Sequence, residues 1–195
     1  MTIKALPPEI GAQFERIAKR NQLSVNILLQ RNTELSQATW EVLKIFELNL
    51  RWHVNRALTV YLDNSDWSQD SKIFISKHLY RSGKITKKNY PIGLGFLSLL
   101  FSDRYHSKLW VPCLKANFPS WSRNRRELHS SLSQLVQVRN RIAHHEIIYN
   151  YPLIEIIDFA QEILVDINEF AAKEITRRNY AETINKIRLG SGGGI

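Results

Sequence analysis

Apolar residues recur at helical spacing along most of the chain, and few prolines or glycines interrupt the pattern. The predicted helices cover residues 8–20, 24–31, 35–62, 92–101, 103–118, 123–144 and 153–178. The polar stretches 63–66 and 81–91 predict a turn and a loop. No internal repeat or linker divides the chain, so we expect one all-α domain over residues 1–189. A flexible Gly-rich tail, residues 190–195, follows it.

Composition narrows the class of protein. The chain has 195 residues, of which 44% are hydrophobic, enough for a globular domain with its own core. The single cysteine, Cys113, excludes an internal disulfide framework and any multi-cysteine metal site. No apolar run has the length of a signal peptide or a membrane span. We therefore expect a soluble, cytoplasmic protein without a membrane partner.

Positive charge is concentrated in the middle of the chain. Between Lys72 and Arg126 there are twelve Lys or Arg residues and one acid, whereas seven acids and two arginines lie between Glu127 and Phe170. Aromatic residues are interleaved with the basic ones, a combination that suits RNA. A solvated basic face is the competing interpretation. The residues expected to guide RNA are Lys84, Lys87, Lys88, Arg123, Arg125 and Arg126.

The most informative stretch is RNRIAHHE, at the end of the helix predicted over 123–144. At 100° per residue, Arg139 falls inside the arc occupied by the apolar residues of that helix. Asn140 and His144 share a flank beside Arg139, whereas Arg141 and His145 fall on a different flank. An arginine on an apolar face needs a carboxylate, a phosphate or a water-filled cleft.

Two interpretations of Arg139 follow. It forms a structural ion pair, for which Glu47 on the long second helix is the candidate partner, or it lies at the floor of a groove and binds a phosphate beside an imidazole. Helical geometry alone does not decide between them.

The motif Arg139-Asn140-x-x-x-His144 resembles the R-x4–6-H motif of HEPN ribonucleases, and the full string RNRIAHHE resembles the Abi-like (abortive infection) branch. Upstream, LGFLSLLFSDRYHSKLWVPCLKANFP resembles an aromatic-rich segment of that branch, and residues 14–58 resemble its amino-terminal helices. Glu47 and Arg51, one turn apart, match an acid and an arginine found there. The resemblance spans about residues 10–170 and implies a HEPN-type helix bundle with extra N-terminal helices.

The sequence departs from related patterns in two places. A proline-containing continuation is usual after HHE, whereas Ile147 follows here and Pro152 comes later. Glu146 stands where nucleotidyltransferase-paired HEPN toxins carry a tyrosine, which argues against control by adenylylation.

The resemblance implies a metal-independent endoribonuclease of the phage-defence toxin type, without a cofactor. In this chemistry the RNA 2′-hydroxyl attacks its own phosphodiester and leaves a 2′,3′-cyclic phosphate. The implied catalytic residues are Arg139, Asn140 and His144. The implied supporting residues are His145, Glu47 and Arg51. Two such helices usually face each other in this superfamily, so a homodimer with a composite site is expected, together with RNA and an RNA or protein antitoxin as partners.

Three rival functions stay open at this point. The first is a non-catalytic RNA-binding module that keeps the HEPN shell. The second is a metal hydrolase using His144, His145 and Glu146, although no HExxH motif supports it. The third is a helical adaptor whose basic face binds another protein. The sequence does not identify an RNA target.

Overall fold

The longest helix, α2 (Val25–Leu62), is the central element of the fold. The computed structural model describes residues 6–69, 92–121 and 124–190. Within them, α2 contacts each of the other α-helices. These are α1 (Pro8–Arg20), α3 (Leu94–Leu100), α4 (Arg125–Ala143), α5 (Leu153–Ile167), α6 (Glu169–Arg178) and α7 (Tyr180–Leu189). The described residues contain no strand, so the predicted all-α class is confirmed.

The two helices predicted over 24–31 and 35–62 are one continuous helix, and the predicted break between them is wrong. Ser24 caps the N-terminus of α2, where its hydroxyl accepts a hydrogen bond from the Ile27 amide. At the expected break, the Thr33 hydroxyl donates to the Leu29 carbonyl at 3.0 Å. Asn32 is buried and bonds to a distant loop. Polar side chains that find these partners do not interrupt the helix.

The single helix predicted over 103–118 is also wrong. A 3₁₀ turn (Asp103–Tyr105), a π-helical turn (His106–Trp110) and a second 3₁₀ turn (Leu114–Asn117) occupy this segment. Pro112 gives the physical reason, because it cannot donate to the helical ladder and its ring crowds the carbonyl four residues earlier. The widened turn bonds Val111 N to His106 O at 3.0 Å.

The helix predicted over 153–178 is divided at Asn168, whose extended backbone ends α5. Its side chain caps α6 through the Ala171 amide and donates to Asn49 Oδ1 on α2 at 2.7 Å. The following helix, α7, is absent from the sequence prediction. It ends at Leu189, with Gly190 in the left-handed conformation as its cap. The predicted loop over 81–91 and the tail from residue 191 onward lie outside the described residues.

One apolar face fixes the position of α4. Its buried side chains are Leu128, Leu132, Leu135 and Val138, and the helix contacts α2, α3 and α5. Because this face is anchored along its length, the last turn of α4 is held beside the first half of α2. The RNRIAHHE motif begins in that turn at Arg139 and continues past the end of the helix to Glu146.

Candidate active site

The ends of α4 are set by local sequence. The Asn124 side chain caps the helix by accepting from the Glu127 amide at 3.0 Å, and its own amide donates to the Glu127 carboxylate at 2.6 Å. At the other end the helix stops at Ala143. His144 is the cap, with its amide bonded to Asn140 O at 2.9 Å. The candidate catalytic residues thus occupy the last turn and the cap of one anchored helix.

The Arg139 side chain lies next to an acid on α2, as one of the two interpretations expected. Arg139 Nε is 3.9 Å from Glu47 Oε2, at the long end of the range for an ion pair. The other Glu47 oxygen binds Arg51 Nη2 at 2.6 Å, and Arg51 Nε also donates to the Ile92 carbonyl at 2.6 Å. Two guanidinium groups therefore share one carboxylate, which leaves net positive charge at this point of the surface.

Exposure separates Arg139 from a fully buried ion pair. Its side chain is 36% exposed, whereas that of Glu47 is 14% exposed. Its guanidinium makes a long contact to Asn140 Oδ1, 3.4 Å from Nη1. Guanidinium donors that are partly exposed and loosely engaged can bind a phosphate without first breaking a tight ion pair.

The motif does not predict Trp40, yet the side chain of this residue contacts Arg139. The Arg139 guanidinium carbon is 5.6 Å from the centre of the indole, a cation–π distance. Trp40 precedes Glu47 by seven residues on α2, so both are on one helical face. Helical spacing from Glu47 is the signal that could have identified Trp40.

His144 and His145 are both exposed and border one groove of about 770 Å³ between α1, α2 and the end of α4. The expectation that His145 lies on a different flank from His144 assumed a continuing helix. The chain instead turns at His145, which has a φ of 57°, so both histidines border the same groove. Arg141 does lie apart, since it pairs with Glu146 at 2.9 Å and stacks on Tyr151.

The segment after the histidines is fixed by Asn32, a second residue outside the sequence prediction. Its side-chain oxygen accepts from the Ile148 amide at 2.8 Å, and its nitrogen donates weakly to the Glu146 carbonyl at 3.5 Å. Asn32 is 6% exposed. Its partners lie more than a hundred residues away in sequence, so no local pattern points to it.

The C-terminal helix also holds this segment. Arg188 on α7 donates to the carbonyls of Tyr149 and Tyr151. Its own carbonyl accepts from Arg31 Nη1 on α2 at 2.8 Å. Arg188 on α7, itself bound by Arg31 on α2, thus helps to fix the segment that follows the motif.

The predicted RNA-binding residues divide into different environments. Arg125 is buried, and its guanidinium binds the Phe101 carbonyl, Asp103 and His106 Nδ1. The expectation of a surface contact at Arg125 is therefore wrong, because the fold occupies its donors. Arg126 has an 82% exposed side chain with Nε 3.7 Å from Asp103. The other four, Lys84, Lys87, Lys88 and Arg123, lie outside the described residues.

Among residues 6–69, 92–121 and 124–190, no group of three His, Cys, Asp or Glu side chains could hold a metal ion. In the same part of the chain, no helix combines the length and apolar character needed to cross a membrane. No known protein family, curated protein or solved structure matches the chain. The likeness to HEPN ribonucleases accordingly stays an expectation from the sequence.

Proposed function

We propose that this protein is a metal-independent endoribonuclease of the HEPN, Abi-like type, with Arg139, Asn140 and His144 as its catalytic residues. One observation carries the proposal. Arg139 is partly exposed and lies at a long distance from the Glu47 carboxylate, which it shares with Arg51. It also contacts Trp40, and Trp40 borders the same groove as the exposed His144. A phosphate binding here would meet spare positive charge close to an accessible imidazole.

The proposed reaction uses the nucleophile that RNA carries. The 2′-oxygen forms a bond to phosphorus while the bond to the 5′-oxygen breaks, leaving a 2′,3′-cyclic phosphate and a 5′-hydroxyl. A base accepts the 2′-hydroxyl proton, and an acid supplies one to the leaving oxygen. Imidazole serves either role near neutral pH. The Arg139 guanidinium stabilises the charge that develops on the phosphate oxygens.

The neighbouring residues have supporting roles in this proposal. Asn140 accepts from Arg139 through its side-chain oxygen, which leaves its amide nitrogen to orient the phosphate or the imidazole. Glu47, which is itself bound to Arg51, orients Arg139 through its second carboxylate oxygen. His145, which borders the same groove as His144, supports proton transfer. A homodimer would bring a second Arg–His pair to the same cleft. One histidine would then act as the acid and the other as the base.

The biological setting belongs to the same proposal. A cytoplasmic phage-defence toxin of this type needs restraint, for which an RNA or protein antitoxin is the proposed partner. Exposed basic residues such as Arg126 would attract the RNA by charge.

The test maps RNA ends after incubation of total RNA with wild-type protein, His144→Gln and His129→Gln. His129 lies on the same helix but outside the candidate site, so it is the matched control. We expect cyclic-phosphate ends with wild type and His129→Gln, also in the presence of EDTA, and a loss of about 10²–10⁴-fold with His144→Gln.

Unchanged cleavage by His144→Gln would contradict the proposal. RNA binding without cleavage by the wild-type protein would identify a non-catalytic RNA-binding module instead. Loss of activity in EDTA would favour a metal hydrolase.

A further inference from the structure

The groove beside the candidate site has the size and composition of a ligand pocket. Its volume, about 770 Å³, lies within the usual range for such pockets, about 300–1,000 Å³. Apolar side chains of α1 form one wall, including Ile10 and Phe14, and Ile142 at the end of α4 borders it as well. The two histidines also border this largely apolar groove.

Trp40 connects the groove to the candidate catalytic arginine. Trp40 is 39% exposed, and it both borders the groove and contacts Arg139. A flat aromatic surface of this kind suits stacking with a nucleobase, because every base has a π-face.

Polar groups lie on the same face of α2, within one turn of Trp40. Gln37 is exposed and Ser36 is half-buried, and both border the groove. An amide carries two donors and an acceptor, which match the hydrogen-bonding edge of a base. Asn32 and Thr33 also border the groove, but their side chains already bond to backbone groups.

We infer that this groove binds an unpaired nucleobase next to the scissile phosphate, with Trp40 as its stacking surface. The inference rests on the proposed function and adds to it a subsite for one unpaired base of the RNA. A nucleotide combines a flat apolar ring, a polar edge and an attached anion. The groove offers the Trp40 indole and the Gln37 amide, and the Arg139 guanidinium lies against that indole. An aliphatic ligand would use neither the Gln37 amide nor the partly exposed Arg139 guanidinium.

The test measures binding of fluorescein-labelled single-stranded 2′-O-methyl octamers, which cannot be cleaved. Affinity for an oligouridine is compared with affinity for an octamer of the same length made of abasic nucleotides. The ratio of the two affinities isolates base recognition from attraction to phosphates. We expect Trp40→Leu to lower this ratio by about 5–100-fold and Trp40→Phe to keep most of it.

Trp52 offers a matched control. It lies on the same helix, is 59% exposed and has the Arg56 guanidinium 5.5 Å from its ring centre, yet it does not border the groove. Trp52→Leu should leave the ratio unchanged. A second measurement needs no variant: 4-thiouridine in the octamer should cross-link to residues of α1 and α2 that border the groove.

An unchanged ratio in Trp40→Leu, equal losses in Trp40→Leu and Trp52→Leu, cross-links outside the groove, or no binding of the octamer would each overturn the inference. The result is separable from the proposed function because no step requires cleavage. Trp40-dependent base recognition without any cleavage would reject the nuclease and keep the pocket. Cleavage together with binding that does not depend on Trp40 would reject the pocket and keep the nuclease.

Discussion

Two arginines on α4 show how differently one helix can use the same side chain. Arg125, in the first turn, is buried and binds a carbonyl, a carboxylate and an imidazole from the segment 101–106. Arg139, in the last turn, is partly exposed and shares a carboxylate with Arg51 at a longer distance. The donors of Arg125 are used by the fold, whereas those of Arg139 can still bind a ligand. The degree of engagement, rather than proximity to an acid, distinguishes a structural arginine from a candidate catalytic one.

The largest expected effect is on catalysis at Arg139. Removing a guanidinium that stabilises the transition state in Arg139→Ala should lower kcat/KM by about 10²–10³-fold. Arg139→Ala also removes the partly exposed ion pair with Glu47, which should lower the free energy of unfolding by less than about 1 kcal/mol. Single-turnover cleavage and urea unfolding measure the two quantities. Arg139→Lys keeps the positive charge but lacks the paired N–H donors of the guanidinium, so it should recover only part of the rate. Loss of stability in proportion to activity would show that Arg139 is structural after all.

The next effect is on stability at Arg125. Arg125→Met keeps the aliphatic length but leaves the Phe101 carbonyl without its guanidinium donor, so unfolding should require about 2–3 kcal/mol less free energy. At a temperature where the variant is folded, kcat/KM should stay within about threefold of wild type, because the contacts of Arg125 lie at the opposite end of α4. A stable variant with weakened RNA binding would restore Arg125 to the RNA-binding surface.

The smallest effect concerns the pH dependence of stability near Arg125. Burial lowers the pKa of His129 below its ordinary value of 6.5, and the Arg125 charge lowers it further. Below pH 6.5 the unfolded chain binds this proton more readily, so the stability present above pH 6.5 is lost as the pH falls towards the folded-state pKa. Arg125→Met should raise the His129 pKa and make that loss smaller.

NMR titration of the His129 ring and unfolding at several pH values measure both parts of this prediction. Burial also lowers the pKa of His53. This histidine contributes to the pH dependence of the wild type and of Arg125→Met alike, so its contribution cancels in the comparison. An unchanged His129 pKa in Arg125→Met would refute the electrostatic coupling.

The sequence predicted the features that depend on neighbouring residues. The limits of α4 follow from the cap at Asn124 and from apolar spacing, and both were predicted within two residues. The contact between Glu47 and Arg139 is long-range, and the sequence offered it only as one of two interpretations, because Glu47 is one of the few acids near the inner face of α2. The catalytic roles of the motif residues stay predictions.

Features that depend on distant partners could not be predicted in this way. The burial of Arg125 follows from the path of residues 101–106, which sequence periodicity assigned to regular helices. His145 borders the groove because α4 ends at Ala143, one residue earlier than predicted, and the chain turns at His145. Asn32 has no local signal, since its partners are backbone groups of a loop.

The continuity of α2 has a consequence for insertions and deletions. Asn32, Trp40, Glu47 and Arg51 are carried by one unbroken helix, so their mutual spacing is fixed at about 1.5 Å and 100° per residue. A single-residue deletion between Trp40 and Glu47 would rotate one relative to the other by about 100°, so the two side chains would no longer both meet Arg139. Exposed side chains of α2 can therefore be exchanged more freely than the number of residues between these positions can be changed.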